Sequence, residues 1–170
     1  MSNLSTLFSR DWVKNLLWLI AVGIIFVGVR AWQQQAMPKG QAPEISGVAT
    51  NGKSVSLSDF RGRPLMLYFW ATWCRICEFE QSSIRSIAQD HPVLSVALRS
   101  GNTMQVERYL QEHGLQFSTL TDEFGEIAAQ YGVRGTPTAF FIDAKGRIRS
   151  IEVGYTSESG MRLRLWIAGL

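Results

Sequence analysis

Cys74 and Cys77 are the only cysteines in the chain, and they are separated by two residues in the run Phe69-Trp70-Ala71-Thr72-Trp73-Cys74-Arg75-Ile76-Cys77. Two thiols so close can cycle between a dithiol and a disulfide, so the spacing points to one redox centre. Thiol-disulfide exchange starts from a thiolate, and what surrounds the sulfur decides whether one is available near neutral pH.

The flanking residues supply such surroundings. Pro64 to Trp70 is an almost unbroken apolar run of strand length, and Glu78 to Asp90 reads as a helix, which puts the pair where a buried strand turns into a helix. Free backbone N–H groups and the positive end of the helix dipole favour a thiolate there. Cys74, at the helix mouth, is the expected nucleophile, and Cys77, one turn further in, the expected resolving thiol. Arg75 adds a positive charge beside the reactive sulfur. Glu80 stands one turn beyond Cys77 and is a candidate for proton transfer, provided it is partly buried; a solvated surface glutamate is the competing reading, and the one preferred for Glu78. The two cysteines as small buried hydrophobes, and a zinc site completed by His91 and His113, are the weaker alternatives, the second because those imidazoles stand at no recognised ligand spacing.

Beyond this centre the pattern continues with a hairpin through Asn51-Gly52, a strand at Val93 to Arg99, a helix near Thr103 to His113 and a short strand around Phe117. A helix near Phe124 to Tyr131 follows, then strands at Thr138 to Asp143 and Arg147 to Val153 joined through Lys145-Gly146, and a last helix from about Ser157. This order predicts an α/β sandwich around a mixed sheet. The terminal stretch Met161 to Ile167 is apolar enough to seek a membrane, but its place at the end of the pattern favours a packing helix.

The start of the chain is different. Asn15 to Val29 carries no charge, and with its flanks it reads as a transmembrane helix over residues 13–32. The uncharged core alone gives only about 22 Å of helix against a hydrocarbon layer of about 30 Å. Lys14 and Arg30 can snorkel, and Trp12 and Trp32 stand 20 residues apart, near the two interfaces. A cleaved signal peptide ending at Val29-Arg30-Ala31 competes, but Arg30 and Trp32 suit a retained anchor better. The reading is therefore a cytoplasmic N-terminus (1–12), the anchor (13–32), a polar linker (33–41) and a single domain (42–170). The flanking charges, Arg10 and Lys14 against Arg30 and Lys39, do not fix orientation. The formal net charge is +3 and falls to +1 beyond Arg30, so no nucleic-acid surface is indicated.

Phe69-Trp70-Ala71-Thr72-Trp73-Cys74-x-x-Cys77 and the later Tyr131-Gly132-Val133-Arg134-Gly135-Thr136-Pro137-Thr138 resemble the two signatures of thioredoxin-fold proteins. More narrowly, residues from about Ala42 to Leu170 resemble the membrane-anchored, TlpA-like branch of thiol-disulfide oxidoreductases, which includes cytochrome c maturation reductases and a copper-sensitivity suppressor. The resemblance implies a thioredoxin fold and a cis proline at Pro137. The Thr136 backbone beside it, with Trp73, would then bind a disulfide-containing protein substrate; read alone, Gly135-Thr136-Pro137 is an ordinary turn. It further implies a periplasmic domain on a single-pass anchor in a bacterial inner membrane, recharged by a membrane electron donor. Ile76 stands where the family often has a proline, which leaves the redox potential open, and a second proline expected near Ser82 is absent.

The function expected from these features is a membrane-anchored thiol-disulfide oxidoreductase that needs no cofactor and no metal and runs in the reductive direction. Its rivals are a protein holding Cu(I) through the two thiolates and a peroxidase of the related peroxiredoxin group, the latter disfavoured by the Trp-Cys-x-x-Cys setting.

Overall fold

The computed structural model describes the backbone of residues 4–35 and 37–170; within the first helix, side chains are described at 12–25 and 27–29. The chain divides after Ala36 into two units. The first is one helix, α1 (Leu4–Gln34), longer at both ends than the expected 13–32. Its stretch Trp12–Val29 has a mean hydropathy of 2.0 over 18 residues and no buried side chain among the described residues, so α1 is long and apolar enough to cross a membrane. The side chains of Arg10, Arg30 and Trp32, on which the snorkelling and interfacial readings draw, lie outside the described residues.

The second unit begins at Met37, whose side chain is buried. It includes residues expected in the linker because Gly40–Gln41 forms an edge strand, β1, against Ile148 and Arg147. Next come β2 (Ser46–Val48) and β3 (Ser54–Ser56), the predicted hairpin, and a 3₁₀ turn (Leu57–Phe60) closed by a Ser56–Asp59 capping box. The remainder alternates: β4 (Leu65–Trp70), α2 (Arg75–Asp90), β5 (Val93–Leu98), α3 (Thr103–Glu112), β6 (Ser118–Asp122), α4 (Glu126–Gln130), β7 (Thr138–Ile142), β8 (Arg147–Val153) and α5 (Glu158–Ala168).

β4 lies at the centre of the main sheet, whose order is β1-β8-β7-β4-β5-β6, parallel to β5 and antiparallel to β7. All six β4 residues are buried, since successive side chains enter opposite layers. Leu65, Leu67 and Phe69 join a core with Leu94, Val96, Tyr131 and Phe140. Met66, Tyr68 and Trp70 join one with Ile84 and Ile87 of α2, Phe141 of β7, and Met161 and Leu165 of α5. The mixed sheet between helices is the α/β sandwich expected, and α5 contributes a packing face as preferred.

Within this unit several strands and helices differ from the sequence expectation by a single terminal residue, and three elements, α2, α4 and β6, differ by more. α2 starts at Arg75, not Glu78, because Cys74 takes an extended backbone and caps the helix itself. α4 is shorter than Phe124 to Tyr131: the Asp122 carboxylate accepts the N–H groups of Ile127 and Ala128, and Gly125 at φ 82° holds the left-handed turn before them. β6 starts after Phe117, where pairing with β5 begins.

Phe140 packs against Phe69 and Tyr131 with ring centroids 5.7 and 5.0 Å away. Phe140→Ala should therefore lower unfolding stability by about 3–5 kcal/mol, measured by denaturant titration of the oxidised protein. A loss under about 1 kcal/mol would show that the ring is not part of the core.

Candidate active site

Every group of the site hangs on the end of β4. Four residues after Trp70, the last of β4, Cys74 stands at the mouth of α2, its own N–H bonded to the Ala71 carbonyl at 3.1 Å. Its sulfur accepts the backbone N–H of Cys77 at 3.1 Å. The helix thus directs one of its unpaired donors at that sulfur, the arrangement that stabilises negative charge on it. The two cysteines are joined in a disulfide, with Cys74 7% and Cys77 2% exposed, so Cys74 is the one that solvent reaches more. Arg75, Ile76, Glu78 and Phe79 are exposed around them.

Glu80 is buried on the same helix. Its carboxylate accepts the Tyr68 hydroxyl at 3.1 Å and the Thr156 N–H. Burial raises its pKa above the ordinary carboxylate value, although both hydrogen bonds pull the other way. Burial also raises the Tyr68 hydroxyl, and the neighbouring Glu80 charge adds to the effect. Glu80 is therefore no solvated surface group. Sequence reasoning missed both its partners. Tyr68 carried a faint signal, a phenol within an apolar strand that must find a partner. Thr156, 76 residues away, carried none.

Trp73 is exposed, and its indole N–H donates to the Arg99 carbonyl at 3.0 Å. Arg99 has φ 46°, the one positive φ outside glycine among the described residues, and its N–H bonds to the Asp122 carbonyl. The Thr72 N–H bonds to the Ser100 hydroxyl at 3.0 Å, so the loop before the cysteines is tied to the loop after β5 at two points.

The Thr136–Pro137 bond is cis. Thr138 pairs with Phe69, which brings this segment to the sheet end that carries the cysteines. Pro137 is buried, its carbonyl accepts the Gly154 N–H at 2.8 Å, and Thr136 is half-buried. The fold therefore gathers Trp73, Cys74, Cys77, Glu80, Thr136 and Pro137 at one pole.

A dithiol pair at a helix mouth on this sheet defines a thioredoxin-fold thiol-disulfide oxidoreductase. The chain belongs to the AhpC/TSA family, whose model matches residues 38–151. It is 32% identical to a thioredoxin-like protein of Haemophilus influenzae, over 92% of this chain and 94% of that one. It is 30% identical to the thiol-disulfide oxidoreductase ResA of Geobacillus thermodenitrificans, over 88% and 89%. Among solved structures, the exposed lipoprotein thioredoxin of Streptococcus pneumoniae superposes with a TM-score of 0.65 at 26% identity, covering 74% of this chain and 99% of that one.

The raised Glu80 pKa has a definite linkage sign. The folded protein holds a proton that the unfolded chain has released, so Glu80 lowers stability as pH rises from its unfolded value through its folded one. Glu80→Gln removes that loss while keeping an acceptor for Thr156. Relative to wild type, the variant should gain stability between about pH 4.5 and neutrality, read by urea unfolding across pH; a pH-independent difference would place the carboxylate in water.

Proposed function

We propose that the protein is a membrane-anchored reductase of protein disulfides, with α1 retained as a single-pass anchor and the domain on the periplasmic side of a bacterial inner membrane. The observation that carries the chemistry is the Cys77 N–H directed at the Cys74 sulfur at the mouth of α2.

In the dithiol form the Cys74 thiolate attacks one sulfur of a substrate disulfide. A mixed disulfide forms, and the other substrate sulfur leaves as a thiolate. Cys77 then loses its proton, with Glu80 one turn on as the acceptor, and attacks the Cys74 sulfur. The substrate departs with two thiols and the protein holds the Cys74–Cys77 disulfide, two electrons having passed to the substrate. A membrane electron donor restores the dithiol. Raising the pKa of the Glu80 carboxyl makes it a better proton acceptor near neutral pH than an ordinary surface glutamate. Trp73, Thr136 and Pro137 frame the place where an extended substrate segment would lie. No cofactor enters these steps.

The reductive direction rests on the tether, which keeps the domain beside a membrane donor, and on the resemblance to a branch that includes cytochrome c maturation reductases. Stabilising the Cys74 thiolate works against it, since that makes the disulfide more oxidising.

Three outcomes test the reading. Cys77→Ser should accumulate mixed disulfides with substrates and Cys74→Ser should not; equal trapping by both would refute the division of labour. Acid quenching and alkylation in growing cells should find the pair mostly as dithiols, whereas a mostly oxidised pair with the donor intact would reverse the direction. The mature chain should keep its first residues and resist alkaline carbonate extraction, and a mature N-terminus at Trp32 would eliminate the anchor.

A further inference from the structure

The pole opposite the sulfurs has a composition that disulfide exchange does not use. Arg61 and Arg63 precede β4, and the Gly62 N–H bonds to the Ala144 carbonyl at 2.9 Å, which brings them against the β7–β8 turn and its Lys145. All three cations are exposed. No ion pair among the described residues involves them, whereas Arg147, Arg162 and Arg164 are engaged by Asp143, by Glu158 and Asp90, and by Glu152.

α5 runs toward the same pole. Thr156, just before it, meets Glu80 near the sulfur end, and Gly169, just after it, abuts Pro64, with only 3.2 Å between the proline ring and the point where a Cβ would stand. While Met161, Leu165 and Ala168 are buried, Leu163, Trp166 and Ile167 are 54%, 62% and 43% exposed. Their i, i+3, i+4 spacing makes one outward apolar stripe ending beside the cations.

We propose that this pole is a membrane-docking surface: Trp166 and its neighbours seat at the headgroup boundary while Arg61, Arg63 and Lys145 meet anionic lipid. This rests on α1 being the anchor, since the domain starts at Met37, a few residues beyond the end of α1 at Gln34, and its first strand lies against Arg147 and Ile148 at the start of β8. An apolar stripe carrying a tryptophan, bordered by cations without carboxylate partners, Arg61 donating only to the Lys145 carbonyl, has the composition of an interfacial helix, and each cation near an anionic surface strengthens attachment about fivefold. The sulfur pole also exposes apolar side chains, but those surround Cys74, where a substrate must approach. Docking leaves the sulfurs one strand length, about 20 Å, from the headgroups. There they meet proteins that project from the bilayer or move freely beside it.

The test uses the full chain, oxidised so that Cys74 and Cys77 do not label, in phosphatidylcholine vesicles with or without phosphatidylglycerol. A maleimide nitroxide is placed at Leu163→Cys or, at the sulfur pole, at Met104→Cys. With phosphatidylglycerol, the label at 163 should collide more with oxygen than with a water-soluble nickel chelate, and the label at 104 the reverse. Salt at about 1 M, where the Debye length is about 3 Å, should release it. Arg63→Gln and Lys145→Gln should each lower the docked-to-free ratio about fivefold. A label at 163 that stays in water, or one at 104 that enters lipid, overturns docking, and spin–spin broadening at 163 assigns the stripe to a second copy instead. Carbonate extraction of the same vesicles reads the anchor separately: retention with a water-exposed 163 sinks docking alone, whereas loss of the chain sinks both.

Discussion

The hydrogen bond from the Cys77 N–H to the Cys74 sulfur depends on where α2 begins, and the rest of the site is arranged around that point. β4 is buried on both faces and flanked by β5 and β7, so its end is held by the whole sheet. A helix starting there has unpaired donors facing outward, and a sulfur placed as its cap receives one of them. Cys74 therefore closes the helix as Ser157 does for α5 through a hydroxyl, but with an atom that can also carry charge and form a covalent bond. One interaction serves folding and chemistry.

Glu80 sets a cost against that order. A carboxylate inside an apolar layer is unfavourable unless its oxygens are bonded, and here Tyr68 from the central strand and the Thr156 backbone reach them. These two bonds join β4, α2 and the approach to α5, so the same buried group that destabilises the ionised fold also fixes the neighbours of the dithiol. With its pKa raised by burial, the carboxyl exchanges protons more readily near neutrality than a solvated one would.

The molecule is also divided along its strands. One pole carries the sulfurs, Trp73 held by the Arg99 carbonyl, and the Thr136–Pro137 segment. The other carries cations without carboxylate partners and the lower half of an apolar stripe on α5. A sheet of parallel and antiparallel strands has two chemically independent ends, which allows one to be shaped by a reacting partner and the other by attachment.

The sequence by itself determined what depends on a few neighbouring residues. A Cys-x-x-Cys spacing spans one helical turn, an apolar run of strand length before it marks the junction, Asn51-Gly52 makes a tight hairpin, and an uncharged stretch near Trp12 makes a helix of membrane length. Each follows from local backbone geometry and side-chain polarity. Tertiary structure decided that Glu80 is buried rather than solvated, since that turns on Thr156 closing over it from 76 residues away. It also decided that Trp73 leans on Arg99, that Thr138 brings Pro137 level with the end of β4, and that the domain starts at Met37 because β8 offers an open edge to Gly40 and Gln41. Such pairings join segments far apart in the chain, where helical and strand periodicity carry no information about the partner. Only exclusion of water from the assembled layers selects them.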